Sequence, residues 1–278
     1  MTAVLAGEPT LIPVSAGVDP RVLENHLGGA DAVNYRRFEL DLVSPYCGRR
    51  ILEVGSGLGD FAAGLHGYDH LIVSDTDPLC LRTLSARFAG RADVDVVTLD
   101  VAGRSRAGRP GASRSGASRS GASRSGAERA AALVPAVRPV DTLIMMNVLE
   151  HIEDDVAALR RLSRLVIPGG RIVLWVPAYP ALYGEFDRMV GHFRRYTPAT
   201  LRRPVELAGL RVERVHPVNL LGGIAWWAAV RRAGQRSADP RLVRLYDRVI
   251  VPISRCVERR IRVPFGQSVL CVATRPVP

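Results

Sequence analysis

The sequence predicts an α/β fold built on a doubly wound, largely parallel sheet. Three observations carry that expectation. Between residues 50 and 176, short apolar runs of strand length alternate with segments of helical spacing. Gly, Pro and Asp punctuate the junctions. A glycine-rich turn at 55–59 follows the first apolar run, at the edge where sheets of this kind bind ligands.

The elements follow in order. Residues 1–18 show no periodicity and are expected to form a flexible N-terminus ahead of a single domain over 19–278. Residues 19–45 have helical spacing broken at Gly28 and Gly29, with Val33, Phe38, Leu40, Leu42 and Val43 on one apolar side. Pro45 and Gly48 end that helix. Strand 50–54, turn 55–59 and helix 60–66 come next, then strand 71–74 and helix 79–89, with Asp77 as N-cap before Pro78. Strands 94–99 and 142–146 follow, then helix 153–166, the Pro168-Gly169-Gly170 turn and strand 171–176. Thr197 caps helix 197–208, with Pro198 at its first position. A sixth strand at 211–218, a mostly helical lid at 219–263 and a final strand at 267–274 complete the chain. Segment 103–138 interrupts this rhythm. Its five-residue repeat at 111–127 has no apolar side chain larger than Ala to bury, so a disordered surface insertion is expected.

Composition narrows the function. Of the 278 residues 47% are apolar, enough for a sizeable core. No apolar run reaches the roughly 20 residues that cross a bilayer, and no basic region precedes an apolar run at the start, so a cytoplasmic protein is expected. Cys47, Cys80, Cys256 and Cys271 are scattered without a CxxC pair or a Cys/His cluster, so no metal site is expected. The net charge is +11, but segment 102–139 holds eight arginines against Glu128 alone, seven of those charges. A basic nucleic-acid face on the folded domain is therefore disfavoured. The chain contains no lysine, which excludes a lysine base or Schiff base.

The stretch Glu53-Val54-Gly55-Ser56-Gly57-Leu58-Gly59 is the central motif. Glycines between strand and helix let a ligand approach the backbone. A dinucleotide fingerprint needs a third glycine where Asp60 stands, and a carboxylate at a helix N-terminus repels pyrophosphate. Glu53, at the tip of the first strand, suits the cationic end of a ligand. Asp75 ends the second strand, where a carboxylate accepts from ribose hydroxyls. Asp100 ends the third strand and can accept from an adenine amino group.

Residues 50–100 and 141–176 resemble class I methyltransferases. Glu53-x-Gly55-x-Gly57-x-Gly59 resembles their first motif, Asp75 their ribose acid and Asp100 their adenine-contacting acid. Asn147-Val148-Leu149-Glu150-His151 resembles the fourth-strand motif of the small-molecule members, and Pro168-Gly169-Gly170 precedes the fifth strand as in the family. The resemblance implies a seven-stranded Rossmann-like sheet with the last strand antiparallel. It also implies S-adenosylmethionine as cofactor and S-adenosylhomocysteine as product. The cofactor residues it implies are Glu53, Gly55, Ser56, Gly57, Gly59, Asp75, Thr76, Asp100, Val101, Asn147 and Val148. The Arg/Ser repeat and the long excursion before the final strand depart from the family pattern.

Candidates for transfer chemistry lie after the fourth and fifth strands. Glu150 and His151 follow the fourth, and His151 has the pKa range of a base; both also suit a plain helix start. Segment 178–197 packs Tyr179, Tyr183, Asp187, Arg188, His192, Arg194, Arg195 and Tyr196 together, and resembles a bacterial subgroup with a Gly-His-x-Arg-Arg-Tyr segment. The expected catalytic residues are His151, His192 and Glu150. The expected acceptor wall is Tyr35, Tyr179, Tyr183, His192, Arg194, Arg195, Tyr196 and Trp226, with Asn34 and Arg37 beside Tyr35. Paired arginines grip anions and aromatics hold apolar bodies, so a small anionic acceptor is expected: a prenyl diphosphate, a lipid-linked intermediate or a natural-product acid. The Trp226–Trp227 stretch also suits peripheral membrane contact. Oligomeric state stays open, a homodimer included. The rival readings are an NAD(P)-dependent oxidoreductase, opposed by Asp60, Glu53 and the absence of lysine, nucleic-acid methylation, which lacks a Pro-Pro pair after the fourth strand, and a non-catalytic binding module.

Overall fold

The computed structural model describes residues 32–101, 138–233 and 244–278. The expected flexible N-terminus at 1–18 and nearly all of the 103–138 insertion lie outside the described residues.

Helix α1 (Val33–Val43) buries Phe38 and Val43. Val33, expected on the same side, is 59% exposed at the first position of the helix. Pro45 turns the chain through a 3₁₀ segment, Ser44–Tyr46, as its fixed φ suits a helix end. Strands β1 (Arg50–Val54), β2 (His70–Asp75) and β3 (Val94–Thr98) pair in parallel, and α2 (Pro78–Arg87) connects β2 to β3. Asp77 caps α2 as expected, accepting from the Leu79 and Cys80 N–H groups. The expected helix 60–66 shrinks to one 3₁₀ turn, Ala62–Gly64. Glycines at 59, 64 and 67 weaken helical propensity there, and a Cβ on Gly64 would sit 2.3 Å from Leu40 Cδ1, so this segment closes tightly on α1.

β4 (Val140–Met146), α3 (Asp155–Ser163), β5 (Val166–Pro177), α4 (Glu185–Met189) and α5 (Pro198–Leu207) follow. β5 starts earlier than expected. The Pro168-Gly169-Gly170 turn is absorbed into its irregular beginning, where the pairing with β4 shifts register. β6 (Arg211–Val218), α6 (Leu220–Ala233), a wide-pitched turn (Tyr246–Ile250), α7 (Val251–Glu258) and β7 (Ser268–Thr274) end the chain. The sheet order is β3-β2-β1-β4-β5-β7-β6. β7 runs antiparallel to both neighbours, the arrangement the family resemblance implied.

Period-two alternation along the strands divides the core between the two faces. Leu52, Val54, Leu143 and Met145 pack with Leu159 and Leu162 of α3 and Leu201 and Val205 of α5. Ile51, Val73, Ile144 and Trp175 pack with Phe38 of α1, Leu84 of α2 and Val251 of α7. Glu53 shares the parity of Ile51, so its side chain faces the α1 side. Among the described residues no helix is long and apolar enough to cross a membrane.

The start of α1 is held from the far end of the chain. Its N-cap position, Ala32, offers no side-chain acceptor. The buried Asp247 carboxylate accepts instead from the Tyr35 N–H at 2.8 Å, the Asn34 N–H at 3.2 Å and Asn34 Nδ2 at 3.1 Å. Asp41, on the same helix, pairs with Arg255 and Arg259. Asp247→Ala is expected to cost about 1–2 kcal/mol, the worth of a lost helix cap, read as a lower urea midpoint with an unchanged slope. An unchanged midpoint would show that water replaces the cap at no cost.

Candidate functional site: a glycine turn beside a buried Glu-His-His cluster

The turn after β1 needs its glycines. Gly55, Gly57 and Gly59 have φ of +70°, +56° and +84°, a region that costs other residues roughly 1–2 kcal/mol. Ser56 N–H donates to the Ser74 carbonyl (2.8 Å), and Ser74 Oγ donates to the Glu53 carbonyl (2.9 Å), so the tips of β1 and β2 are tied together. A Cβ on Gly55 would lie 2.5 Å from Val148 Cγ2. The turn is thus in contact with the residue after Asn147, which is itself left-handed (φ 53°) and donates to the Trp175 carbonyl. The structure brings Gly55, Ser56, Gly57, Asp75 and Val148 to one place at the strand tips.

Glu53 is 2% exposed, and its Oε2 has no hydrogen-bond partner. Burial pushes its carboxyl up to about 7, against the pull of Ser56 and Arg36. Arg36 pairs with the buried Glu39 at 2.7 Å. Neither Arg36 nor Glu39 stood out in the sequence; their spacing of three on one helix was the available signal. Asp75 accepts from the N–H groups of Gly57 (3.0 Å), Thr76 (2.7 Å) and Asp77 (2.9 Å). Burial still leaves its carboxyl above the ordinary value. Asp100 and Val101 follow β3 at the same sheet edge; Val101, like Val148, packs against the α3/α5-side core. Asp60 corrects an expectation. It precedes only a single 3₁₀ turn in place of the expected helix and forms an ion pair with Arg87 at 2.5 Å, which offsets the charge from which repulsion of an anion was inferred. The preference for a cationic ligand rests on Glu53.

The segment after β5 is organised by Asp187, which is fully buried. It accepts from the Gly184 N–H at 2.9 Å, bonds to His192 Nδ1 at 2.7 Å and accepts from Arg195 Nε at 2.8 Å. Burial pushes its carboxyl up, but the bonds to His192 and Arg195 outweigh that and leave it below the ordinary value. Arg195 also lies over the Trp226 ring, 5.2 Å from its centroid. Arg194 donates to Asp155 Oδ2 (3.0 Å) and the Glu153 carbonyl (2.6 Å). The two arginines expected to grip an anion therefore have internal carboxylate partners, and the anionic end inferred for the acceptor loses its support. Local sequence shows the donors of such pairs but not which carboxylates fold against them.

Other expected wall residues divide similarly. Tyr196 is a 2% exposed core residue that donates to Asp155 Oδ2. Tyr183 donates to the His192 carbonyl, and Trp226 Nε1 to the Leu182 carbonyl. Tyr179, in a left-handed conformation (φ 57°), stacks on Phe265 at 4.7 Å and donates to the Pro264 carbonyl. Tyr35 packs beside Phe38, and burial raises its phenol well above the ordinary value. Asn34 is engaged by Asp247. A cavity of about 430 Å³ lined by Asn34, Arg255, Cys256 and Arg259 holds none of the turn residues; the chemistry-bearing groups lie elsewhere.

They lie after β4. The 3₁₀ turn Leu149–His151 buries all three of its side chains. Glu150 is 0% exposed, and neither carboxylate oxygen has a hydrogen-bond partner. Burial pushes its carboxyl up to about 7. His151 is 8% exposed with Nδ1 unpartnered, and burial pushes it down to about 3. The His151 and His192 rings meet edge-on, centroids 4.6 Å apart, and His192 Nε2 lies 3.9 Å from Glu150 Oε1. One donor atom from each of the three residues lies within 4.8 Å of the others. The expectation of no metal site came from the cysteines; this cluster joins residues 41 positions apart, which spacing rules do not see.

Solved structures with this architecture include an S-adenosylmethionine dependent methyltransferase from Mesorhizobium loti (14% identity, 90% of this chain and 100% of that one, TM-score 0.51). The N-methyltransferase NodS from Bradyrhizobium japonicum, in complex with S-adenosyl-L-homocysteine, aligns at 15% identity over 94% and 100% (TM-score 0.50). The [4+2]-cyclase SpnF aligns at 14% over 92% of each chain (TM-score 0.51), so the shared architecture does not by itself fix the reaction. No curated protein matches the sequence. A family model described as a methyltransferase domain covers residues 32–215, from the start of α1 into β6 and across both the glycine turn and the Glu150–His192 cluster, and the chain belongs to that family.

Proposed function

We propose that this protein transfers the methyl group of S-adenosylmethionine to a small-molecule acceptor. The observation that carries the reading is Glu53. A fully desolvated carboxylate with an unpartnered oxygen, beside three left-handed glycines, is unfavourable alone and complementary to a cation. S-adenosylmethionine carries an ammonium and a sulfonium and no phosphate, so the residues present fit it. When bound, it supplies a methyl group on an electrophilic sulfonium.

The chain's own residues divide the work. Glu53, with Ser56 and the Gly55–Gly59 backbone, holds the amino-acid end. Asp75 would hold the ribose hydroxyls with its remaining acceptor sites, and Asp100 and Val101 would take the adenine. Asn147 and Val148 close the opposite wall. Tyr179, Tyr183, His192 and Trp226 border the acceptor, whose aromatic surroundings suit an apolar body. Glu150, His151 and His192 are the groups that contact its reacting end. Arg194 and Arg195 act as positioning residues, holding Asp155 and Asp187.

Two outcomes test this. S-adenosylhomocysteine is expected to bind with micromolar affinity by calorimetry, and Asp75→Ala to weaken it at least about tenfold, some 1.4 kcal/mol. No binding to the wild type would sink the reading. The second concerns pH. The Glu53 carboxyl, raised to about 7, must be ionised to hold the ligand ammonium. Affinity is therefore full above that value and is lost as pH falls through it, about tenfold between pH ~8 and pH ~6, with proton uptake by Glu53 opposing binding. Glu53→Gln is expected to bind weakly and without this pH dependence. Affinity that rises toward acid pH would contradict the role given to Glu53.

A further inference from the structure

We propose that Glu150, His151 and His192 form a binding site for a divalent first-row transition-metal ion. The argument begins with what these side chains lack. A buried carboxylate ordinarily finds an arginine, a backbone N–H or a hydroxyl. Glu150 finds none, although Arg195 is close enough to influence it; Arg195 is held on Asp187 instead. The nearest donor set is two imidazoles. His192 Nε2 stands 3.9 Å from Glu150 Oε1, too far for a hydrogen bond. His151 Nδ1 is likewise buried without a partner.

The orientation of His192 is the second observation. Its Nδ1 is held at 2.7 Å by the Asp187 carboxylate, and Asp187 is itself fixed by Arg195 and by the Gly184 N–H. A carboxylate on one ring nitrogen sets the tautomer and presents the other as a lone pair. Metal-bound histidines are commonly anchored in this way. The His151 ring meets the His192 ring edge-on, with centroids 4.6 Å apart, which sets its orientation against the anchored imidazole. The three donor atoms come from two separate elements, the turn after β4 and the loop after α4, and all lie within 4.8 Å of one another. An ion with bonds of about 2.1 Å in tetrahedral geometry holds its ligands roughly 3.4 Å apart. Each pair of donor atoms lies at most about 1.4 Å beyond that spacing, a gap that side-chain rotation can close.

The donor chemistry narrows the ion. Two imidazoles with one carboxylate suit zinc, iron(II), manganese(II) or cobalt(II). Magnesium and calcium prefer all-oxygen sets, and copper(I) prefers sulfur. Three protein ligands leave coordination positions for oxygen donors. That an acceptor hydroxyl takes one of them rests on the methyl-transfer reading; the metal site itself does not.

The test uses the full chain, stripped of metal with a chelator and titrated with cobalt(II) and with zinc. The expected result is one equivalent bound, a visible cobalt d–d spectrum without a thiolate charge-transfer band, and a rise in melting temperature with zinc. His151→Ala, His192→Ala and the isosteric Glu150→Gln should each weaken binding at least 100-fold. Asp187→Asn, which loosens His192 without removing a ligand, should weaken it about 10- to 100-fold. Thermal unfolding of each metal-free variant identifies those that fold. S-adenosylhomocysteine binding, measured separately, reports on the cofactor reading and not on this one. Absence of stoichiometric binding by the folded wild type would overturn the proposal. Equal binding by the folded Glu150→Gln and histidine variants would also overturn it, placing the ion elsewhere and leaving the cluster as a purely internal polar group.

Discussion

An ionised carboxylate loses several kcal/mol of hydration on burial and must recover it from partners or give up its charge. This chain buries Glu39, Glu53, Glu150, Asp155, Asp187 and Asp247, and its architecture around the sheet edge follows from how each is resolved. Asp187 gathers His192, Arg195 and the Gly184 N–H, which shapes the whole segment after β5 and seats Trp226 of α6 against it. Asp155 gathers Arg194 and Tyr196, fastening the same segment to α3. Asp247 joins α1 to the last helices. Glu53 and Glu150 are different: each keeps at least one oxygen without a partner. The satisfied carboxylates fasten the segments around the sheet edge, and the two with unpartnered oxygens are the ones on which the proposed ligand contacts rest.

Much of the fold was legible because it depends on local rules. β1 and β6 fall on the expected residues, and Asp77 and Thr197 cap the helices they were read to cap. That Glu53, Asp75 and the glycine turn meet at one sheet edge was legible because strand tips followed by a glycine signature fall together in such sheets. The failures have a common cause. Helix 60–66 is expected from the strand–helix alternation, while close packing of Gly64 on α1 leaves a single turn. Arg194 and Arg195 were read as free donors because their acceptors, Asp155 and Asp187, are specified only by the folded chain. The Glu150–His151–His192 convergence was invisible for the same reason.

The arginine readings also show how composition misleads. A chain without lysine places guanidinium groups wherever a cation is needed, so their density says little about an anionic partner. Arg36 on Glu39, Arg87 on Asp60, and Arg255 and Arg259 on Asp41 are internal fasteners. Their geometry, not their number, separates a structural arginine from one that meets a ligand.

The place of β7 has a consequence for how the protein is made. The last strand in sequence lies inside the sheet, hydrogen-bonded to β5 on one side and β6 on the other. A chain emerging from the ribosome therefore cannot seat β6 against β5, and α1 waits for Asp247 as well. At roughly 5–20 residues per second, the 212 positions between Tyr35 and Asp247 take about 10 to 40 s to appear. During that time the edge of β5 that β7 will cover has no strand partner and the start of α1 lacks its cap, so the N-terminal part of the sheet must hold together on the packing of Phe38 against Ile51 and Trp175.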